Sequence, residues 1–404
     1  MDTVLSMSPE TIERRETVRK FMEQYIYPNE HVLARQEEGA GEAEALIKDL
    51  QQRTKAMGYW APHLPREAGG MGVGFLSYAY MNEIIGRSAY APRAFGAQAP
   101  DSGNAEILHQ FGTPELKERF MKPLVNGDVR SCFSMTEPAV SGADPTGLET
   151  TAVRDGDEWV INGRKWFSSG AIGAAFAIVM AKTDPDAEPH RRFSMIVVPT
   201  DAPGFKIARR VEVWGDPHAN HPEIHYDNAR VPVTNLLGPQ GGGFRIAQRR
   251  LGPGRIHHCM RALGQAQRAF DLMCQRALSR VAFGGPLADK QTVQNWIADS
   301  FAGIQAARLL TMQAAKKIDE GDEARLEVSL IKFFVVNVTC EVIDRAIQVH
   351  GAMGVTSDTP LQAMYKSARI LRIADGPDEV HRMVVARRAL REYRNGGTWD
   401  FGAY

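Results

Sequence analysis

The spacing of apolar residues changes twice along this 404-residue chain. From Ser8 to about Gly127 the spacing is helical, and Ser8-Pro9-Glu10 and Thr113-Pro114-Glu115 are typical helix starts. From about Ser131, short runs rich in Val, Ile and Thr lie between Gly and Pro clusters, which is typical of strands. After Gly243 helical spacing returns. The chain is therefore predicted to fold as helices, then a sheet, then more helices.

This pattern predicts an α+β protein of three domains. We expect an N-terminal helical domain over residues 1–129, a middle antiparallel β domain (a sandwich or barrel) over 130–241, and a C-terminal four-helix bundle over 242–404. The dipeptides Asp155-Gly156 and Asn162-Gly163 are predicted to be the turns of two hairpins.

Composition excludes several classes of function. Lys plus Arg and Asp plus Glu both number 48, so no net charge attracts nucleic acid. The four cysteines and the adjacent His257 and His258 lack metal-ligand spacing, so neither a metal nor a disulfide is predicted. The longest uncharged run, 166–181, is too short for a membrane span, and the first twenty residues do not resemble a targeting signal. We expect a cytoplasmic protein.

Two segments of the middle region combine flat apolar side chains with hydroxyl groups. They are Ser134–Pro138 and Trp166–Gly170. Such a mixture could hold a planar heteroaromatic ring by its face and its edge. The alternative is that Trp166 is an ordinary buried side chain of a β core.

Two segments of the last third could also carry chemistry. Glycines in Gln348–Gly354 could let backbone amides approach a phosphate, and Asp375 in Ala374–Pro377 could act as a base. The alternative is that these residues only cap helices.

Taken together and in order, these pieces resemble the acyl-CoA dehydrogenase family across essentially the whole chain. The matching segments are Met135-Thr136-Glu137-Pro138, Asn162-Gly163-x-Lys165-Trp166-x-Ser168-x-Gly170, Arg230-Val231-Pro232, Arg280-x-x-Phe283-Gly284, Gln291 and Gln348-x-x-Gly351-x-x-Gly354. The resemblance is strongest to the branch with Ala-Asp-Gly-Pro where the fatty-acyl enzymes have Tyr-Glu-Gly-Thr.

The resemblance implies an FAD cofactor. Its isoalloxazine ring is expected to contact Phe133, Met135, Thr136, Ser141, Trp166, Phe167 and Ser168. Its diphosphate and adenosine are expected to contact, across a subunit interface, Arg280, Phe283, Gln291, Gln348, Gly351 and Ala352. Pro377 and Glu379 are further expected contacts, although the fatty-acyl enzymes have Thr and Gln there. A homodimer or homotetramer is therefore implied.

The resemblance also implies the reaction. Asp375 is expected to take the α-proton of an acyl-CoA while the β-hydride leaves for flavin N5, giving a trans-2-enoyl-CoA. Substrate contacts are expected from Ser141, Gly142 and Arg255, and an electron-transferring flavoprotein is the expected electron acceptor. Asp375 replaces the usual Glu and is one methylene shorter.

Two other functions stay open. A flavin oxidase of the same fold, such as a nitroalkane oxidase, also uses an Asp base. A catalytically silent protein that kept the fold for binding is the third possibility.

Overall fold

The computed structural model describes residues 7–35 and 41–398. It confirms the predicted order of helices, sheet and helices. The chain forms two compact units. We call Met1–Pro28, Gly74–Ala91 and Arg255–Tyr404 the bundle unit, and Asn29–Val73 and Pro92–Gly254 the sheet unit. The predicted boundaries at 129/130 and 241/242 stay predictions, and residues 1–6, 36–40 and 399–404 of the predicted domains lie outside the described residues.

The helices and strands have the following bounds. The helices are α1 (Pro9–Phe21), α2 (Glu30–Leu33), α3 (Gly41–Ala56), α4 (Phe75–Ile85), α5 (Ala91–Ala94), α6 (Asp101–Phe111), α7 (Pro114–Leu116), α8 (Lys122–Asn126), α9 (Gly243–Ser279), α10 (Gln291–Asp319), α11 (Arg325–His350), α12 (Leu361–Ile370) and α13 (Asp378–Arg394). The strands are β1 (Ser131–Ser134), β2 (Thr151–Asp155), β3 (Glu158–Lys165), β4 (Phe176–Lys182), β5 (Phe193–Pro199), β6 (Phe205–Arg209), β7 (Glu223–Pro232), β8 (Leu236–Leu237), β9 (Val281–Ala282) and β10 (Gly285–Pro286).

Both predicted helix starts are confirmed. The Ser8 hydroxyl accepts the Thr11 N–H at 3.2 Å, and the Thr113 hydroxyl accepts the Leu116 N–H at 3.2 Å. Each bond satisfies a backbone donor that the first helical turn leaves unpaired. The stop predicted after Asn126 is confirmed as well, because Gly127 is left-handed with φ 75°.

The sheet of the sheet unit has the strand order β6-β7-β3-β2-β4-β5-β8. Its pairings are mostly antiparallel, but β1 pairs with β4 in parallel and Thr151 of β2 pairs with Lys182 of β4 in parallel. The hairpin predicted at Asp155-Gly156 is confirmed, since Asp155 pairs with Glu158 across a two-residue turn.

The second predicted hairpin turn, at Asn162-Gly163, is wrong. Strand β3 continues through both residues to Lys165 and pairs with β7 on either side of a register shift between Ile161 and Gly163. Ile161 pairs with Ala229 and Gly163 with Tyr226, so β7 carries one extra residue opposite Asn162. The irregularity is therefore a β-bulge in β7, and β3 does not reverse its direction. A backbone φ of 154° at Gly163 explains why glycine stands there.

Strand β4 is the centre of the sheet unit. Phe176, Ile178 and Met180 belong to one core cluster, which also contains Ile107 of α6. The alternate residues Ala177, Val179 and Ala181 belong to a second cluster with side chains of β3, β5 and β7. Both faces of β4 are therefore buried, which explains its unbroken apolar sequence.

The bundle unit packs around an apolar stripe on α9, whose residues recur with the 3.6-residue period of a helix. Its members Ile256, Cys259, Leu263, Ala266, Met273 and Ala277 are buried and Phe270 is half-buried. Helix α12 was not predicted, and its Leu361, Met364 and Ala368 pack into the same core. In the part of the chain that the structure describes, no helix has an apolar stretch long enough to cross a bilayer.

Candidate active site

In the bundle unit, Asp375 lies in the turn between α12 and α13. Its backbone is left-handed with φ 56°, a conformation that costs a non-glycine residue about 1–2 kcal/mol. Its side chain is 25% exposed, so the carboxylate is neither sealed in the core nor freely solvated. A strained residue of this kind persists only where its neighbours hold it, and such residues cluster at functional sites.

Side chains from two helices hold the backbone of this turn. Arg255 Nε of α9 donates to the Asp375 carbonyl oxygen at 2.8 Å, and His381 Nε2 of α13 lies 3.3 Å from the same oxygen. A Cβ on Gly376 would lie 2.8 Å from His381 Nε2, so only glycine fits after the aspartate. The predicted substrate residue Arg255 therefore contacts the predicted base directly.

Lys332 of α11 is a further buried support of the turn. Its ammonium donates to the Leu371 carbonyl oxygen and lies 3.4 Å from the Gly376 carbonyl oxygen. Burial lowers the pKa of Lys332. Sequence analysis did not select this lysine, because the pattern of a mainly apolar helix does not show which of its few polar residues point inward.

The Asp375 side chain has its own partner, which sequence reasoning missed. His258 Nε2 lies 3.0 Å from Asp375 Oδ2, and the Arg261 guanidinium donates to His258 Nδ1 at 3.1 Å. Burial lowers the pKa of His258, and the neighbouring cations Arg261 and Lys332 lower it further against the opposing effect of Asp375. The available signal was its place three residues after Arg255, on the same face of α9.

The other predicted residues of this turn have different positions. Pro377 precedes the first residue of α13, and Glu379 is exposed in the first turn of that helix. Between them, buried Asp378 accepts hydrogen bonds from Arg372 at 2.9 Å and Asn337 at 2.8 Å. Asp378 therefore anchors the start of α13.

In the sheet unit, the two predicted ring-binding segments are joined by their backbones. The Trp166 N–H donates to the Thr136 carbonyl oxygen at 3.0 Å, and Thr136 Oγ1 donates to the Trp166 carbonyl oxygen at 2.8 Å. Phe167 is left-handed with φ 50°, and its ring is 43% exposed beside Trp166. Hydroxyl groups and aromatic faces therefore meet at the end of β3.

A buried chain of hydroxyl groups lies behind Ser168. Tyr226 donates to Ser134 Oγ at 3.0 Å, and Ser134 Oγ lies 3.1 Å from Ser168 Oγ. Burial raises the pKa of Tyr226 well above its ordinary value, so its phenol remains a proton donor. The sequence did not single out Tyr226, which lies on a different strand.

Two residues of the family motifs contact each other inside the sheet unit. Lys165 and Glu137 form a buried ion pair at 2.8 Å, and Glu137 also accepts the Glu149 and Thr150 N–H groups. Burial raises the carboxyl's pKa, but Lys165 and these donors outweigh that effect and leave the pKa of Glu137 below its ordinary value. This pair ties β3 to the segment after β1.

Phe133 and Met135, at the end of β1, are half-buried. The Arg250 guanidinium lies 4.0 Å from the centroid of the Phe133 ring, and its Nε donates to Asn104 at 3.0 Å. Adjacent arginines such as Arg249-Arg250 are typical of a solvated helix face. That interpretation is wrong for Arg250, which is buried.

Ser141 and Gly142 lie in an exposed loop. The Ser141 hydroxyl accepts the Ala143 N–H at 3.3 Å, and a Cβ on Gly142 would lie 3.0 Å from Thr136 Cγ2. Gly142 is thus brought beside a predicted ring-binding residue, whereas the structure gives no contact that defines a role for Ser141.

The remaining predicted cofactor residues are exposed and belong to the bundle unit. They are Arg280, Phe283, Gln291, Gln348, Gly351 and Ala352. The Phe283 ring is 99% exposed, at φ 51° in the turn between β9 and β10. A phenyl ring presented to solvent on a left-handed backbone gains nothing from packing in its own chain. The turn is therefore suited to contact a molecule outside the chain, as an adenosine cradle requires.

Three family models match the chain. They are acyl-CoA dehydrogenase, N-terminal domain, at residues 8–128; acyl-CoA dehydrogenase, middle domain, at 132–229; and acyl-CoA dehydrogenase, C-terminal domain, at 241–390. With the fold described above, these matches define an oxidoreductase of the flavoprotein class.

Individual proteins similar to this chain carry the same family name. The chain is 48% identical over 396 residues to the probable acyl-CoA dehydrogenase FadE2 of Mycobacterium tuberculosis, covering 95% of this chain and 96% of the relative. It is 42% identical to acyl-CoA dehydrogenase family member 11 of Mus musculus, covering 93% of this chain but 50% of the relative, so it spans about half the length of that protein. A solved structure from Mycobacterium abscessus, assigned to the acyl-CoA dehydrogenases, superposes with a TM-score of 0.91 at 42% identity and covers 96% of this chain and all of that one.

The chain belongs to the acyl-CoA dehydrogenase family. The family resemblance stated from the sequence is thereby confirmed. Its assignment to the branch with an aspartate in the catalytic loop stays a prediction.

Proposed function

We propose that this protein is an FAD-dependent acyl-CoA dehydrogenase in which Asp375 removes the α-proton of an acyl-CoA thioester and a trans-2-enoyl-CoA is formed. The observation that carries the proposal is the Asp375 turn itself. A partly exposed carboxylate stands on a left-handed backbone whose carbonyl is held by Arg255 and whose side chain is held by His258.

The residues of the chain perform the proton transfer. The α C–H bond of a thioester is too weakly acidic for a carboxylate unless its carbonyl oxygen is polarised, and we assign that role to the backbone N–H of Asp375. Asp375 then takes the proton, and the electron pair forms the new α,β double bond as the β-hydrogen departs as hydride. FAD, when bound, supplies the hydride acceptor for this step.

The residues present fit FAD. We assign the isoalloxazine ring to the aromatic and hydroxyl groups at the ends of β1 and β3, namely Phe133, Met135, Thr136, Trp166, Phe167 and Ser168. We assign the diphosphate and adenosine to the exposed residues of a second subunit, namely Arg280, Phe283, Gln291, Gln348, Gly351 and Ala352. The fully exposed Phe283 ring supports the second assignment. Because a second subunit supplies these contacts, we propose that the protein is a homodimer or homotetramer.

The reduced flavin must be reoxidised between turnovers. We propose that an electron-transferring flavoprotein accepts its electrons. The choice of acyl group is set by how near a substrate must come to Asp375, which reaches one methylene less than a glutamate.

An anaerobic substrate screen tests the proposal. The purified yellow holoenzyme is mixed with acyl-CoAs of different chain length and branching, and the visible absorbance of the flavin is followed. We expect rapid bleaching by one subset and slow recovery in air. Bleaching by nitroalkanes with rapid peroxide formation would instead identify an oxidase, and a colourless protein that cannot be reconstituted with FAD would identify a silent binding protein.

A further inference from the structure

We propose that His258 is a positioning residue that holds the Asp375 carboxylate in the one orientation from which it can remove a proton. The inference rests on the proposed function, because it takes Asp375 as the base. It concerns a histidine to which neither the family matches nor the sequence motifs assign a role.

The contacts of His258 fix its tautomer. An arginine can only donate hydrogen bonds, so the 3.1 Å contact from Arg261 Nη2 makes His258 Nδ1 an acceptor without a proton. The proton of the neutral ring must then be on Nε2, 3.0 Å from Asp375 Oδ2. His258 therefore presents one N–H donor, aimed at one carboxylate oxygen.

The same contacts keep His258 from acting as a proton acceptor. Its Nε2 already carries a proton, and its Nδ1 faces the positive charge of Arg261. Burial and the cations Arg261 and Lys332 all disfavour the charged imidazolium, although Asp375 favours it. The proton that Asp375 takes from the α-carbon therefore stays on Asp375, and His258 acts only through orientation.

Orientation matters because the torsion that rotates an aspartate carboxylate has broad and roughly two-fold minima. Arg255, His381 and Lys332 contact backbone carbonyl oxygens of the turn. The bond from His258 Nε2 to Oδ2 restricts this rotation.

The test separates proton abstraction from hydride transfer. An acyl-CoA with sulfur in place of the β-carbon has an α-proton to lose but no β-hydrogen to transfer. The holoenzyme is incubated with this thioester in D2O, and mass spectrometry measures the rate at which deuterium replaces the α-hydrogens. This readout does not require turnover.

His258→Gln and His258→Asn form a matched pair of variants. The Gln amide nitrogen can reach the position of His Nε2, whereas the Asn amide reaches only the position of Nδ1. We expect exchange within about tenfold of wild type for His258→Gln and about 100-fold slower for His258→Asn, the effect of misplacing a reacting group by about 1 Å. Both variants should stay yellow and bind the thioester with little change in affinity.

Two further variants complete the experiment. His257→Asn is the control, because His257 is the preceding residue of α9 and its ring stacks on Phe75 at 5.2 Å instead of facing Asp375. It should exchange at the wild-type rate. Asp375→Asn tests the base itself and should abolish exchange. If Asp375→Asn is inactive while His258→Asn exchanges as fast as wild type, the positioning role is wrong and the base assignment stands. If Asp375→Asn still exchanges, both are wrong.

Discussion

At the scale of single residues, the sequence identified the aspartate but not its setting. Asp375 stood out because its segment matched a family motif. His258 and Lys332 are distant in sequence and belong to helices whose visible pattern is apolar. Whether a polar residue of such a helix faces a turn or a neighbouring helix depends on tertiary packing, which a single sequence does not encode locally.

Motif residues also differ in what they do. Glu137 lies in one segment predicted to hold a ring and Lys165 directly precedes the other, yet they form a buried ion pair with each other. The motif thus contains both surface groups that can meet a ligand and the internal bond that holds those groups in place. Sequence similarity alone does not distinguish the two kinds.

One residue-scale prediction concerns stability in acid. His225 Nε2 lies 3.0 Å from the carboxylate of Glu223 of β7, which also accepts hydrogen bonds from Arg164 at 2.7 Å and Arg209 at 2.9 Å, and these neighbours lower its pKa from 4.5 to about 2. Because the folded pKa lies below the unfolded one, the stabilisation is present above pH 4.5 and is lost as the pH falls towards 2.

Glu223→Gln should therefore lower the free energy of unfolding by about 1–2 kcal/mol at neutral pH, a modest value because both arginines are more than half exposed. Its stability should also fall less steeply than that of wild type in acid. Urea titrations at several pH values measure both effects. Asp155→Asn, which removes an exposed pair with Arg230, is the control and should change little. Parallel acid profiles for wild type and Glu223→Gln would contradict the prediction.

At the scale of elements, local sequence signals predicted the ends of helices well but the pairing of strands poorly. The caps at Ser8 and Thr113 are correct because a cap is a contact between residues three apart. Asn162-Gly163 was read as a turn because that dipeptide favours one. Whether the strand turns or continues there is decided by its pairing with β7, which lies far along the chain.

Gly163, which follows the β3 residue opposite the bulge in β7, yields a prediction. A Cβ on Gly163 would lie 2.7 Å from Thr150 Cα, and φ is 154°. Gly163→Ala should lower the free energy of unfolding by about 2–3 kcal/mol through strain and crowding. It should also weaken FAD retention, because β3 leads directly to Trp166. Urea denaturation and flavin absorbance after dialysis measure the two effects.

Gly156→Ala is the matched control for that variant. Gly156 also has a positive φ, of 61°, but no atom lies within 4 Å of the Cβ it would carry. It should cost about 1 kcal/mol and leave FAD retention unchanged. Equal losses in the two variants would show that crowding against Thr150 has no effect.

At the scale of the whole molecule, the order of secondary structure was predictable because its signal is the local spacing of apolar residues. Which chain segments combine into each compact unit was not predictable. Each unit joins segments from different parts of the chain, such as Gly74–Ala91 with Arg255–Tyr404 in the bundle unit. Such assembly depends on contacts between distant segments.

A prediction at this scale concerns assembly. If Phe283 and Arg280 contact FAD bound to a second subunit, Phe283→Ala and Arg280→Ala should each lose FAD more readily on dialysis and shift the assembly towards smaller species. Flavin absorbance and sedimentation velocity measure these two effects. Val153→Ala, which also truncates an exposed apolar side chain, is the control. Full FAD retention in both turn variants would contradict the assigned cofactor contacts.

The most direct test of the central claim is anaerobic rapid mixing of wild type and Asp375→Asn with the best acyl-CoA from the substrate screen. We predict that Asp375→Asn stays yellow and binds the acyl-CoA but that its flavin bleaches at least about 100-fold more slowly, the loss expected when a general base is removed. Flavin bleaching at the wild-type rate in Asp375→Asn would show that another group removes the proton.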